Sequence, residues 1–138
     1  AVSFALRDKR IANSDAIVIL PGDIPLITTE EIENFINDAP KNGIRIAPDR
    51  DREGTNALLL APPTLIKTQF GKLSYSRHLE LAEKCCSNVE VIDSDGLAFD
   101  IDSPEDLKDF CGTASSTKSY EFLKRNGIAA SLQAKKYH

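Results

Sequence analysis

Two apolar runs pinch a charged loop between them. Ile44 to Ala47 lies before it and Ala57 to Ala61 after it, and from 48 to 56 the chain reads Pro-Asp-Arg-Asp-Arg-Glu-Gly-Thr-Asn. Short apolar runs bounded by turn residues predict strands. Two strands then hold a turn carrying three acids, two arginines and a Gly-Thr-Asn tip. Loops held by rigid strands are where binding groups concentrate. An arginine fork recognises phosphate or carboxylate. Gly54 lets a ligand approach the backbone, and Thr55 and Asn56 add short donors and acceptors. The competing reading is a solvated turn whose charges satisfy one another.

The rest of the chain alternates strand and helix. Val2 to Lys9 reads as helical. Asp15 to Leu20 is a β-branched apolar run, suited to a buried parallel strand, and it enters the turn Pro21-Gly22-Asp23-Ile24-Pro25. Thr28 with Glu31 predicts a capping box, opening a helix with Ile32, Phe35 and Ile36 on one face. Pro62-Pro63 stops the strand that follows the charged loop. Ser74 can cap a helix with Leu79, Ala82 and Cys86 on one face. Val89 to Ile92 and Leu97 to Ile101 read as further strands. Pro104, with Glu105 and Asp106, suits a first helical turn. Residues 112–117 read as a flexible linker, 118–126 as a short helix, and the final stretch as weakly ordered. This alternation predicts an α/β fold with a mainly parallel sheet flanked by helices, whose ligands gather at the carboxyl ends of the strands.

Composition excludes several classes. With 138 residues, 41% apolar and 28% charged, the chain has the size and make-up of one ordinary domain. No apolar run approaches the ~20 residues that span a bilayer, so no membrane partner is expected. Arg7, Asp8, Lys9 and Arg10 follow only a brief apolar stretch, unlike a signal peptide. A net charge of −4 without a basic, aromatic patch argues against nucleic acid. Three cysteines, with Cys85 and Cys86 adjacent, match neither a disulfide framework nor a zinc spacing. Reduced cysteines and a cytoplasmic setting follow. A homodimer is a candidate assembly that the sequence does not decide.

Carboxylates recur where strands end. Asp23 follows the first apolar strand, and Asp100 and Asp102 straddle Ile101. In an extended segment that spacing puts both on one face. One carboxylate from each of two strand ends is a common way to hold Mg²⁺, which shares phosphate oxygens and keeps waters. Alternatively, Asp102 is the N-cap of the helix at Ser103-Pro104 and Asp23 a turn residue. Gly71-Lys72-Leu73-Ser74 leads into a helix N-terminus, where anions bind, and Arg77 could contact phosphate there. His78 reads as a partly exposed helical histidine. Neither a phosphate loop nor a Gly-x-Gly-x-x-Gly motif occurs.

In order along the chain stand Pro-Gly-Asp-Ile-Pro-Leu-Ile-Thr (21–28), Ala-Pro-Asp-Arg (47–50), Gly-Thr-Asn-Ala-Leu (54–58), Phe-Gly-Lys-Leu-Ser-Tyr-Ser-Arg-His (70–78) and Asp-Ile-Asp-Ser-Pro-Glu-Asp-Leu (100–107). This series resembles the 2-phospho-L-lactate guanylyltransferase family of coenzyme F-420 biosynthesis. The Gly-Thr-Asn motif is the most specific part; the first and last motifs occur in many nucleotidyltransferases. The resemblance implies a nucleotide-diphospho-sugar transferase-like fold, with residues 1–110 as the C-terminal portion of the enzyme domain and 111–138 as linker, short helix and tail. It implies that a phospho-acid attacks the α-phosphorus of GTP with loss of pyrophosphate, the acid being 2-phospho-L-lactate, phosphoenolpyruvate or 3-phosphoglycerate. Asp23 and Asp102 would be catalytic, Asp23 with Asp100 and Asp102 would hold Mg²⁺, and Thr55, Gly71 and Ser74 would bind the acid. Asn56, Arg50 and Arg77 join them on chemical grounds, as nearby donors of suitable charge. The family's opening strand and basic triphosphate loop have no counterpart before Asp15, which implies that the chain alone lacks the nucleotide half and carries an exposed sheet edge or face. Two alternatives stay open: a molybdopterin or sugar-phosphate nucleotidyltransferase, and a non-catalytic, acid-binding remnant.

Overall fold

A computed structural model describes residues 2–85, 88–113 and 115–134. Cys86, expected on a helix face, lies outside them. Among the described residues four strands form one sheet: β1 (Ile17–Ile19), β2 (Gly43–Pro48), β3 (Thr55–Ala61) and β4 (Asn88–Val91), in the order β1-β3-β2-β4. β2 and β4 pair in parallel, whereas β3 runs antiparallel to both β2 and β1. Three strands therefore point one way and β3 opposes them, so the sheet is mixed rather than mainly parallel in its ladders. The charged loop is the reason. It is too short for a parallel crossover, which takes a dozen residues or more, so β2 and β3 can only form a hairpin.

Every residue of β2 and β3 is buried. Their side chains alternate between two core layers, as a period of two requires. Ala57, Leu59 and Ala61 pack with Ile24, Phe35 and Leu97 on one face. Leu58 and Leu60 pack with Ile44, Ile46, Ile66 and Ala82 on the other. Each fully buried leucine contributes roughly 1.5–3 kcal/mol. That double coverage explains why Ala57 to Ala61 reads as apolar throughout, with Arg45 the charged exception in β2.

Helices supply both covers. α1 (Val2–Ala5) and α2 (Lys9–Ala12) stand where one helix was expected, because the Asp8 carboxylate caps α2 by accepting the Arg10 N–H at 2.9 Å. α3 (Thr29–Ile36) has the expected capping box between Thr28 and Glu31 and buries Phe35. α4 (Ser74–Cys85) begins at Ser74, which is its first helical residue rather than its cap. Residues 97–101 are not a strand. Ser94 caps a short helix, α5 (Asp95–Ala98), whose Gly96 N–H donates to Glu31 at 2.7 Å. α6 (Pro104–Gly112) is capped by Ser103, not Asp102, with Asp106 completing the box. α7 (Lys118–Arg125) matches the expected short helix. The final stretch is more ordered than expected: α8 (Ile128–Ala134) packs on α6, and Gln133 Nε2 donates to the Cys111 carbonyl at 2.9 Å. β1 is an edge strand, half-buried, beside a groove lined by Val2, Leu6 and Ile11. Among the described residues no helix is long and apolar enough to cross a membrane.

Candidate active site

β1 and β2 end, and β3 begins, at the same edge of the sheet, because β3 is reversed. A cleft of about 490 Å³ opens there. Seven residues singled out in the sequence line it together: Asp23, Thr55, Asn56, Gly71, Ser74, Asp100 and Asp102. The long separation in sequence closes through one backbone bond, Ile101 N–H to the Asp23 carbonyl at 3.0 Å, which sets the segment 100–102 beside the Pro-Gly-Asp turn.

The charged loop folds around its own first acid. The Asp49 carboxylate accepts the Glu53 N–H at 2.9 Å and the Gly54 N–H at 2.6 Å. A Cβ on Gly54 would stand 2.5 Å from that carboxylate. This is a side-chain-closed turn of the kind aspartate favours. The Glu53 carbonyl then accepts the Tyr75 N–H at 3.1 Å, fastening the loop to the start of α4. The opposite wall, Phe70 to Leu73, turns sharply at Gly71 (φ 110°) and Leu73 (φ 58°), conformations that glycine adopts freely and leucine rarely.

Two candidates fall elsewhere. Arg50 does not line the cleft: it pairs with Asp106 and Asp109 on α6 and lies 4.5 Å above the Phe99 ring. Arg77 is exposed on α4 and is not among the lining residues. The acids that α6 presents to the loop explain the first displacement, since no reading along the chain reveals them as neighbours. Arg52 likewise turns outward to Asp93 at 2.7 Å and the Tyr75 hydroxyl at 3.1 Å.

His78 is the residue the sequence misplaced. It is fully buried, not partly exposed. Its Nδ1 lies 3.0 Å from Thr55 Oγ1, and its Nε2 accepts the Gln69 N–H at 2.9 Å. Phe70 packs edge-on against it at 5.0 Å. Burial pushes its pKa down to about 4, so the ring is neutral. A signal existed: Ser74, His78 and Ala82 stand at i, i+4 and i+8, and all three are buried.

A family model described as guanylyl transferase CofC like matches residues 4–137. The chain belongs to this family. It is 41% identical to a phosphoenolpyruvate guanylyltransferase from Sphaerobacter thermophilus over 78% of its own length and 53% of that relative. It is 34% identical to a 2-phospho-L-lactate guanylyltransferase from Methanoculleus marisnigri over 86% of its length and 54% of the relative. The chain thus spans about half the length of the curated relatives it matches. A crystal structure of a proposed nucleotide-diphospho-sugar transferase from Desulfovibrio desulfuricans G20 superposes with a TM-score of 0.69, at 18% identity, over 95% of this chain and 59% of that one. That likeness confirms the fold expected from the sequence.

The cleft of this CofC-like chain is acidic. Among the described residues that line it, Asp23, Asp49, Glu53, Asp100 and Asp102 face one cation, Lys72. Burial raises the Asp100 pKa above the ordinary aspartate range, and the carboxylates of Asp102 and Asp49 push it further; the Asn56 amide opposes the rise. Among the described residues the buried Asn56 Nδ2 has no partner at full hydrogen-bond geometry, although it stands close enough to Asp100 to lower its pKa. A carboxylate destabilised by burial and by like charge, beside an amide donor at poor geometry, is what a cation with an oxyanion ligand would satisfy. Among the described residues no three His, Cys, Asp or Glu side chains form a closed metal cage. Mg²⁺ needs none, since it binds through one or two carboxylates and takes water and phosphate oxygens for the rest.

Proposed function

We propose that this chain carries the acceptor-acid and metal site of a guanylyltransferase that joins GTP to a small phospho-acid, phosphoenolpyruvate or 2-phospho-L-lactate, in coenzyme F-420 biosynthesis. A phosphate oxygen of the acid forms a bond to the α-phosphorus of GTP. The bond from that phosphorus to the bridging oxygen of the β-phosphate breaks, and pyrophosphate leaves. Mg²⁺, held by Asp23 with Asp100 or Asp102, would neutralise phosphate charge and favour an in-line arrangement.

One observation carries this reading: the three carboxylates and the set Thr55, Gly71 and Ser74 line a single cleft. An acidic cleft alone repels a phospho-acid, so the acid needs the cation beside it. The N-terminus of α4, a 12-residue helix beginning at Ser74, adds a positive dipole end on the same side. Thr55 supplies a hydroxyl, and Asn56 an amide, held at poor geometry to Asp100, that can meet a carboxylate or phosphate oxygen.

Turnover tests the reading. Phosphorus NMR of this chain supplied with the remaining half of a curated relative, with GTP, Mg²⁺ and each acid, is expected to show a guanylylated acid and pyrophosphate in equal amounts. Product formation only with CTP, or only with a sugar phosphate, contradicts it.

A further inference from the structure

Both nitrogens of the buried His78 ring are engaged, and their partners fix where its proton sits. A backbone amide only donates, so the Gln69 N–H at 2.9 Å requires a lone pair on Nε2. The ring is neutral with Nε2 unprotonated, and the proton is on Nδ1. Nδ1 therefore donates to Thr55 Oγ1 across their 3.0 Å separation.

The consequence passes to the hydroxyl. Thr55 Oγ1 has one proton to give and two lone pairs. With one lone pair taken by His78, its own proton must point away from the ring. Among the described residues no carbonyl or carboxylate accepts it, and Thr55 borders the cleft. We propose that His78 is a positioning residue that commits the Thr55 hydroxyl to donate into the cleft, toward an oxyanion of the bound phospho-acid. The oxyanion part rests on the reading of the cleft given above. His78 itself does not border the cleft and so touches no reactant. Through Gln69 the same ring also holds the start of the Phe70–Leu73 wall, which makes it a strut between the two sides of the site.

Two conservative substitutions separate its bonds. Asparagine is short enough to place an amide N–H near the Nδ1 position, keeping the donor to Thr55. Glutamine reaches the Nε2 position with a carbonyl, keeping the acceptor for Gln69 and losing that donor. Titration of the protein with phosphoenolpyruvate and Mg²⁺ is expected to show binding weakened about tenfold or more in Thr55→Val, as for a lost hydrogen bond to a charged group. His78→Gln weakens it comparably, His78→Asn restores most of it, and His78→Gln combined with Thr55→Val is no worse than Thr55→Val alone. Melting curves of the two His78 variants should lie close together, so that the difference in binding is not unfolding. Additive losses in the double variant overturn the inference, as does equal weakening by asparagine and glutamine. Nitrogen-15 shifts of the ring give an independent reading: protonated Nδ1 supports the inference and protonated Nε2 overturns it. A wild-type protein that binds no phospho-acid contradicts the reading of the cleft, and the position of the ring proton then decides the hydrogen-bond claim alone.

Discussion

Arg45 on β2 and Glu90 on β4 are register partners across the parallel ladder, and Arg45 Nε donates to Glu90 Oε2 at 2.7 Å. The same guanidinium reaches back to the end of α3, where Nη1 donates to the carbonyls of Phe35 at 2.9 Å and Asn37 at 2.7 Å, and Nη2 to that of Asp38 at 3.1 Å. A charged residue inside a buried strand thus serves as the C-terminal cap of the helix above it, satisfying carbonyls that the helix leaves open.

Arg45→Met should therefore cost about 3 kcal/mol, because it leaves those carbonyls and Glu90 without their donor. Denaturant unfolding measures it. A loss below about 1 kcal/mol, the range of an exposed ion pair, would contradict the capping role.

Gly43 lets β2 and β4 approach. A Cβ there would lie 2.3 Å from the Asn88 carbonyl oxygen, which is backbone and cannot swing aside. Gly43→Ala should cost about 1–3 kcal/mol in unfolding free energy through forced separation of the ladder. An unchanged denaturation midpoint would show that the strands accommodate a methyl group.

His78 predicts a pH dependence of stability. Its folded pKa is about 4, against 6.5 for the free side chain. Between those values the unfolded chain binds a proton that the folded one refuses. Stability present above pH 6.5 is thus lost as the pH falls from 6.5 to 4, by about 3 kcal/mol, and no further loss from this group follows below that. His78→Gln should flatten the profile over that window relative to the unsubstituted protein. Parallel profiles would contradict it.

Asp100 predicts the opposite sign. Its folded pKa is raised, first by burial and then by its carboxylate neighbours. The folded state holds a proton that the unfolded state has released, so stability falls as pH rises from the ordinary aspartate pKa through the raised one. Asp100→Asn should melt at a higher temperature at pH 7 without Mg²⁺; if Asp100 rather than Asp102 holds the cation, it should also lose Mg²⁺-dependent binding of phosphoenolpyruvate. A lower melting temperature would contradict the strain assigned to this carboxylate.

Much of this was legible along the chain, and the exceptions share a cause. The Thr28–Glu31 capping box, the two strands around the loop and the Pro104 helix start are decided by residues a few positions apart, and they appear where expected. Leu97 to Ile101 read as a strand because its apolar content resembles one. The chain instead turns into α5, since Glu31, far away in sequence, takes the Gly96 N–H. Arg50 read as a ligand contact because its charge was visible and its partners on α6 were not. Seven residues named along the chain line one cleft, whereas His78, whose contacts to Thr55 and Gln69 come from separate segments, required three dimensions.

A phospho-acid is expected to enter the acidic cleft only with a cation and to be held there by Thr55. Calorimetric titration with phosphoenolpyruvate and with 2-phospho-L-lactate, each with and without Mg²⁺, on the unsubstituted protein and on Asp23→Asn and Thr55→Val, tests it most directly. Saturable binding is expected that requires Mg²⁺, is lost in Asp23→Asn and is weakened about tenfold or more in Thr55→Val. Binding that is indifferent to Mg²⁺ and to both substitutions, or no binding of either acid, would contradict it.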